Sequence, residues 1–184
     1  MNNELKRNLF GSALILAGGY LLFNSANALP KKLSVIKPFD KEKFLGKWYE
    51  IARLDHPYET NLSNVTATYS KKRNGNIRVE NSGFDESNFE WKTATGKAKF
   101  KDDVTRGALK VSFFGPFYSA YNIIEVDPEY HYMLVAGENL DYLWILSRFT
   151  EIPSKIKDDF LSKAKKLGFK TSRLIWVSHK DEFN

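Results

Sequence analysis

The sequence predicts an all-β protein: an eight-stranded antiparallel up-and-down β-barrel, with one C-terminal α-helix packed outside and a short ninth strand. Three observations support this prediction. Short runs of alternating apolar and polar residues begin at Trp48 and recur roughly every ten residues. Turn-forming residues separate these runs. One later segment has the period of a helix, and no internal repeat or long linker divides the chain.

Eight runs are the predicted strands, and turn signals separate several of them. Asn74-Gly75 is typical of a tight hairpin, and Gly115-Pro116 and Asp127-Pro128 mark further breaks. Strand periodicity alone is also compatible with a two-layer sandwich. The predicted strands are Trp48–Asp55, Leu62–Lys72, Ile77–Phe84, Glu90–Phe100, Ala108–Phe114, Tyr118–Val126, Tyr132–Gly137 and Tyr142–Phe149.

The helical segment follows the eighth strand. Its apolar residues recur at the spacing of one helix face: Ile156, Phe160, Ala164 and Leu167. Pro153-Ser154 is a start signal, and Gly168 suits the left-handed position after a helix end. Leu174–Val177 is the predicted ninth strand. Because one helix cannot cover a two-sided sheet, it is expected to lie against the outside of a barrel.

Three residues are predicted to close one end of the barrel. Gly46 permits a sharp turn into the first strand, and Trp48 is large enough to plug the end. Arg148 ends the eighth strand, which neighbours the first strand in a closed barrel, so its guanidinium could stack on Trp48. The alternative is that Trp48 is an ordinary core residue and Arg148 a surface charge.

The composition excludes several classes of function. The 184 residues are 42% hydrophobic and 15% aromatic, enough for one sizeable core, and the formal charge is +6. The absence of cysteine excludes disulfides, Cys-ligated metal centres, thiol nucleophiles and a lipid attached through Cys. No metal site or cofactor is predicted.

The first 28 residues have the pattern of a secretory signal peptide. Lys6 and Arg7 precede an apolar run, and Ser25-Ala26-Asn27-Ala28 resembles a cleavage site, so cleavage is expected after Ala28. The alternative is an uncleaved membrane anchor. Residues 29–184 then form the barrel domain, and the sequence predicts an exported, soluble periplasmic protein that is not a Cys-linked lipoprotein.

Three separated blocks resemble the lipocalin family, and within it the bacterial lipocalins that are related to apolipoprotein D. They are Gly46-Lys47-Trp48-Tyr49-Glu50-Ile51-Ala52-Arg53, Asp127-Pro128-Glu129-Tyr130 and Tyr142-Leu143-Trp144-Ile145-Leu146-Ser147-Arg148. The second block departs from the family's Thr-Asp-Tyr by two intervening residues. The resemblance implies a ligand-binding calyx for a fatty acid or lysophospholipid, used in lipid storage or transport in the bacterial cell envelope. Bacterial members commonly carry a lipoprotein cysteine, which this sequence lacks.

The alternation of the strands predicts which side chains line such a calyx. The parity that turns Arg148 toward Trp48 also turns its neighbours on the eighth strand inward. The alternative is that these residues pack a closed core. The predicted ligand-binding residues are Leu109, Val111, Phe113, Met133, Val135, Tyr142, Trp144 and Leu146.

An enzyme acting on a lipid or other apolar substrate is the alternative function. His56, His131 and His179 are far apart, without companions at metal-ligand spacing, and no catalytic motif is present. His56 with Tyr58 or Glu59 is the one candidate acid–base group, and no catalytic residue is predicted.

The basic clusters are predicted to be solvated charge, and the alternative is peripheral contact with anionic membrane lipids. They are Lys71-Lys72-Arg73 and the Lys163, Lys165 and Lys166 side chains of the helix. Without interleaved aromatic residues they do not predict nucleic-acid binding. A monomer or weak homodimer is expected.

Overall fold

The computed structural model describes residues 33–55 and 61–180. The predicted signal peptide, residues 1–28, therefore lies outside the described residues and stays a prediction. His56, Tyr58 and Glu59, the predicted acid–base group, also lie outside them.

The described chain contains nine strands, two α-helices and one short 3-10 helix. Their order confirms the predicted run of strands followed by a helix and a last strand. The helices are α1 (Lys41–Phe44) and α2 (Ser154–Lys166), with a 3-10 turn at Thr171–Arg173. The strands are β1 (Gly46–Leu54), β2 (Leu62–Lys71), β3 (Ile77–Asp85), β4 (Glu90–Phe100), β5 (Ala108–Ser112), β6 (Ser119–Val126), β7 (Tyr132–Ala136), β8 (Leu143–Ser147) and β9 (Leu174–Trp176).

The first eight strands form a closed antiparallel barrel, which decides between the barrel and the sandwich. Each strand from β1 to β8 pairs with the next one, and β1 also pairs with β8. Strand β1 is paired on both edges: its residue Tyr49 is opposite Thr66 of β2 on one side and Ser147 of β8 on the other. Every strand of the barrel therefore has a neighbour on both sides. Residues 90–96 of β4 extend beyond its ladder with β5, and the upper part of β1 pairs with β9 instead of β2.

A β-bulge in β1 changes which residues face the lumen. The pairing with β8 shifts between Glu50 and Ala52, so Ile51 is an extra residue on this strand. Ile51 and Ala52 consequently both belong to the outer apolar cluster beneath helix α2. Trp48 belongs to the inner cluster, and Arg53, beyond the bulge, is buried.

Helix α2 covers one side of the barrel, as predicted. Its buried residues Phe160 and Ala164 pack with Leu134 and Ile145 on the outer faces of β7 and β8. The helix ends before Gly168, whose φ of +97° is the left-handed conformation that glycine adopts without strain.

The chain after β9 fills the gap that opens between β1 and β2. The amide of Val177 donates to the carbonyl of Ile51, and the amide of Asn64 donates to the carbonyl of Ser178. His179 Nε2 lies 2.9 Å from the carbonyl oxygen of Glu50. The C-terminal segment therefore completes the wall where the β1–β2 ladder ends.

Helix α1, which the sequence analysis did not predict, lies across one end of the barrel. Asp40 caps it by accepting hydrogen bonds from the amides of Glu42 and Lys43. Phe44 is fully buried, and its carbonyl accepts a 2.8 Å hydrogen bond from Trp48 Nε1. This end of the barrel is thus closed by a helical turn resting on the indole.

Arg148 joins this closed end to the last barrel strand. Its guanidinium carbon lies 3.8 Å from the centroid of the Trp48 ring. Its Nη atoms donate to the carbonyls of Lys43, Leu45 and Lys47 at 2.6–2.7 Å. Partial burial lowers the pKa of Arg148 to about 10, so the side chain is cationic at neutral pH.

Gly46 is required by the same arrangement. Its φ is +99°, and a Cβ at this position would lie 3.2 Å from Arg148 Nη1. Asp127 and Tyr130 also meet here: the Tyr130 hydroxyl accepts from the amide of Asp40 at 2.7 Å. The start of the first sequence block and the end of the third therefore meet the second block at the closed end.

Replacing Arg148 tests how strongly it stabilises this end. Arg148→Ala removes the cation–π contact and leaves several carbonyls without their charged donor, so we expect the free energy of unfolding to fall by about 2–4 kcal/mol. Arg173→Ala, which truncates an exposed arginine, is the matched control and should change it by less than about 0.5 kcal/mol. Urea denaturation measures both. Equal effects of the two substitutions would contradict the account of the closed end.

Candidate functional site: the barrel interior

The end of the barrel opposite α1 is its open end. The C-terminal end of β1 and the start of β2 lie there, together with the β3–β4 hairpin, residues 113–118 between β5 and β6, and residues 137–142 between β7 and β8. A ligand that enters the barrel must pass between these loops, because α1 and Arg148 block the other end.

The side chains on the inner faces of the strands form one apolar cluster. Seven of the eight predicted ligand-binding residues are buried members of it, and Phe113, the eighth, packs against it half-buried. The structure thus brings all eight together on the lumen side. The seven buried members are Leu109, Val111, Met133, Val135, Tyr142, Trp144 and Leu146.

Small residues on β4 leave room in the lumen for an aromatic ring. Ala94 and Ala98 are buried there, with Gly96 between them. A Cβ on Gly96 would lie 2.9 Å from the Phe113 ring and 2.8 Å from the carbonyl oxygen of Ser112. The ring of Phe113 therefore reaches into the upper lumen only because residue 96 has no side chain.

Tyr142 and Trp144 form the apolar wall on the opposite side. Their rings stack with centroids 6.1 Å apart and an interplanar angle of 22°. Gly137 makes space for this pair, since a Cβ there would lie 2.5 Å from Cβ of Tyr142. Trp144 is opposite Val135 on β7, so this wall combines flat rings with a branched aliphatic side chain.

An ion pair is buried in β1, among the strands that enclose this apolar interior. Arg53 Nη1 donates to Glu50 Oε1 at 2.8 Å, and the two side chains are only 1% and 5% exposed. Glu50 is opposite Leu146 and Arg53 is opposite Trp144 on β8. Two desolvated charges are stable here because each neutralises the other.

Two tyrosines form a bridge across the lumen below this wall. Tyr69 on β2 and Tyr121 on β6 lie on strands that are not neighbours, yet their hydroxyl oxygens are 2.8 Å apart. Burial raises the pKa of both phenols, and the negative charge of Glu50 adds to the increase. Both phenols are therefore neutral at neutral pH, and one donates to the other.

The tyrosine bridge lies close above the closed end of the barrel. Phe44 lies directly beneath it, with its ring centroid 4.4 Å from that of Tyr69. From Leu62 to Tyr69 the strand rises about 23 Å, which corresponds to roughly 16–19 Å along the axis of a barrel tilted by 35–45°.

The polar residues of the interior were not predicted from the sequence. Tyr121 and Asn81 continue inner-face alternations, Tyr121-Ile123 on β6 and Ile77-Val79-Asn81 on β3, so strict alternation would have found them. Glu50 follows Trp48 at the same parity. Arg53 could not be found in this way, because the bulge at Ile51 reverses the parity of β1.

The two described histidines lie apart from the lumen cluster. His131 packs against Tyr132 and Phe149 near the closed end, and His179 contacts the outer side of β1. Burial lowers the pKa of His179. In residues 33–55 and 61–180, no three His, Asp or Glu side chains are grouped closely enough to hold a metal ion. In the same part of the chain, no helix has the length and apolar character needed to span a membrane.

Comparison with known proteins shows relatives over most of the chain. Residues 39–179 match the family model described as a lipocalin-like domain. The outer membrane lipoprotein Blc of Citrobacter freundii is 46% identical over 165 residues, which are 90% of this chain and 93% of that protein. Outer membrane lipoprotein Blc of Escherichia coli (strain K12) is 48% identical over 148 residues, 80% of this chain and 84% of that protein.

Solved structures share the fold. Insecticyanin from the tobacco hornworm Manduca sexta superposes with a TM-score of 0.70 at 18% identity, covering 85% of this chain and 89% of that one. The allergen Per a 4 from cockroaches gives a TM-score of 0.66 at 20% identity, over 84% of this chain and 96% of that one. At these identities the likeness concerns the architecture of the barrel.

The relatives contradict the predicted location. Those from Citrobacter, Escherichia and Vibrio are named outer membrane lipoproteins, so the prediction of a soluble periplasmic protein that is not a Cys-linked lipoprotein is wrong by this comparison. The prediction rested on the absence of cysteine from the 184 residues. That absence concerns one attachment chemistry, and a location does not follow from it.

The Glu50–Arg53 pair is tested by breaking it on one side. Glu50→Gln removes the buried carboxylate to which Arg53 Nη1 donates at 2.8 Å, so we expect the free energy of unfolding to fall by about 3–5 kcal/mol. The double variant Glu50→Gln/Arg53→Met removes both charges and should recover more than half of that loss. Denaturant unfolding of both variants gives the values. A single variant as stable as the original chain would show that the charges are not desolvated.

The tyrosine bridge predicts a loss of stability at alkaline pH. The unfolded chain releases the two phenolic protons near the ordinary tyrosine pKa of 10.0, whereas the folded barrel retains them. The unfolded state is therefore favoured as the pH rises above 10, and the stability from neutral phenols is complete below it. The urea midpoint should fall between pH 9 and pH 11.

Substitution separates this effect from other alkaline titrations. Tyr121→Phe removes one of the two retained protons and should reduce the fall in the midpoint. Tyr132→Phe, on the outer face of β7, is the matched control for the loss of one hydroxyl group. An equal pH dependence in the original chain and both variants would contradict the assignment.

Proposed function

The chain belongs to the lipocalin family, and from this membership we propose that its barrel binds one fatty acid or lysophospholipid, for lipid storage or transport in the bacterial cell envelope. The observation that carries the proposal is the apolar cluster on the inner faces of the strands, which extends from the Tyr69–Tyr121 bridge toward the open end. Barrels of this family take small hydrophobic ligands. The choice of a lipid with one acyl chain is the proposal.

An acyl chain suits this lining for physical reasons. Each methylene removed from water contributes about 0.8 kcal/mol before the costs of binding. A lipid of about 20 heavy atoms, at roughly 0.3–0.4 kcal/mol per atom, gives about 6–8 kcal/mol and thus a dissociation constant in the micromolar range. The apolar contacts on opposite sides of the acyl chain come from Val111, Val135 and Trp144.

The headgroup is proposed to remain at the open end. The tyrosine bridge and the closed end below it leave room for the tail and none for a bulky polar group. We propose binding without catalysis, by a monomer or weak homodimer that meets anionic membrane lipids peripherally. The lipoprotein names of the relatives support a role beside a membrane.

Adding bulk on the two faces of β5 tests where the lipid binds. Val111 faces the lumen, and its neighbour Lys110 faces outward. Val111→Trp should lower fatty-acid affinity at least tenfold because the indole occupies space in the lumen, whereas Lys110→Trp should change it less than twofold. Titration with a fluorescent fatty acid measures both, and circular dichroism reports folding. Equal affinities in the two variants would overturn the proposed site.

Short-range quenching of tryptophan fluorescence provides a second readout, which does not depend on a change in affinity. A fatty acid brominated in mid-chain quenches tryptophans that it contacts, and Trp144 is the lumen residue expected to be quenched. Trp144→Phe should abolish most of the quenching, whereas Trp91→Phe, on the outer wall, should retain it. Full quenching in Trp144→Phe would place the lipid elsewhere.

A further inference from the structure

Three lysines on the outer wall of β4 and β5 surround one tyrosine ring. The Nζ atoms of Lys97, Lys99 and Lys110 lie 5.5, 4.6 and 6.0 Å from the centroid of the Tyr118 ring. These lysines alternate with inward-facing residues such as Ala98, so their ammonium groups project from the barrel.

The arrangement of these lysines is electrostatically unfavourable in isolation. Lys99 and Lys110 are direct partners across the two strands, and like charges in that position destabilise a sheet. No ion pair within the described ranges 33–55 and 61–180 includes Lys97, Lys99 or Lys110. The ring of Tyr118 offsets part of the repulsion through cation–π contacts. An anionic surface would offset the remainder.

Exposed aromatic residues lie next to this charge, at the open end. Phe114 and Phe117, in the connection that leads into Tyr118, are 47% and 61% exposed. Phe89, in the β3–β4 hairpin, is also 81% exposed, but it precedes Lys97 by eight residues of extended chain, about 26 Å, and does not belong to this surface. The lysines lie directly beside the connection of residues 113–118, since Lys97 Nζ is 3.1 Å from the position that a Cβ on Gly115 would occupy. Large apolar side chains beside a cationic patch are the combination that binds a lipid interface.

In each basic cluster singled out in the sequence, one lysine has a carboxylate partner. Lys71 pairs with Glu42 at 3.4 Å, and Lys163 pairs with Glu125. Both lysines are therefore already partly neutralised by carboxylates, in contrast to the three around Tyr118.

We propose that this surface docks on an anionic lipid bilayer. The surface, here named the rim patch, consists of Lys97, Lys99, Lys110, Phe114 and Phe117. In the docked orientation the phenylalanines enter the interface and the lysines meet lipid phosphates, so the open end lies beside the membrane. The inference deepens the proposed function. It rests on that function in one respect, because the docked membrane is the source of the acyl lipid that the lumen is proposed to bind.

Vesicle binding by the full chain tests the proposal. The probes are vesicles of phosphatidylglycerol and phosphatidylethanolamine, and vesicles of phosphatidylcholine alone, followed by co-sedimentation. We expect binding to the anionic vesicles that weakens as salt is added, and at least tenfold weaker binding to the neutral ones. Equal binding to both vesicle types, or binding to neither, would overturn the proposal.

Paired variants locate the surface. Lys99→Glu/Lys110→Glu should lower affinity for anionic vesicles at least tenfold, and Phe114→Ser/Phe117→Ser at least fivefold. Lys165→Glu/Lys166→Glu makes the same charge change on helix α2 and should lower it less than threefold. A loss in the helix variant as large as that in the rim variants would overturn the assignment. The assignment would also be overturned if the phenylalanine substitutions dissociated a dimer and left vesicle binding unchanged.

A separate titration distinguishes this inference from the proposed function. Fatty-acid affinity in solution without vesicles should be the same, within twofold, in the rim variants and the original chain. If vesicle binding follows the pattern above while no fatty acid binds, the rim patch stands and the proposed function fails. If fatty acid binds and the rim variants keep full vesicle affinity, the proposed function stands and the rim patch fails.

Discussion

The contact between Arg148 and the end of helix α1 determines how the whole barrel is organised. The guanidinium satisfies carbonyls at the C-terminal end of that helix and covers the Trp48 indole, so residues 43–48 and the end of β8, far apart in the chain, meet at one side chain. Carbonyls at a helix end need donors, and a planar cation with five N–H groups supplies several at once. Closing one end in this way leaves entry from the opposite end only.

The interior then has two levels with different chemistry. Beneath the Tyr69–Tyr121 bridge, Phe44 and Trp48 fill the space between the strands. Above the bridge, small residues on β4 face larger rings on β8, and Glu50 and Arg53 are buried as a neutral pair. A bridge between non-neighbouring strands also resists flattening of the barrel. The apolar lining and the bridge are the features on which the proposed lipid ligand depends.

Much of the fold could be predicted from sequence because strand alternation and turn residues act locally. The helix also followed from local signals, since Phe160 and Ala164 recur on one face and Gly168 follows its end. The eight lumen residues shared a parity that the structure reproduces. Alternation failed where the backbone departs from it: the bulge at Ile51 turns Arg53 inward, and a sequence pattern contains no signal for one extra residue. The Tyr69–Tyr121 bridge depends on strands that meet only after closure. The predicted location was wrong for another reason, because the absence of one attachment chemistry does not determine where a protein resides.

The proposed function places one acyl lipid within a closed-bottomed barrel, and native mass spectrometry of the full chain purified from its own host tests this most directly. The account predicts a population heavier than the bare chain by the mass of one fatty acid or lysophospholipid, with a 1:1 ratio that persists when excess lipid is added. Bare protein alone, even after incubation with excess fatty acid and lysophospholipid, would contradict it.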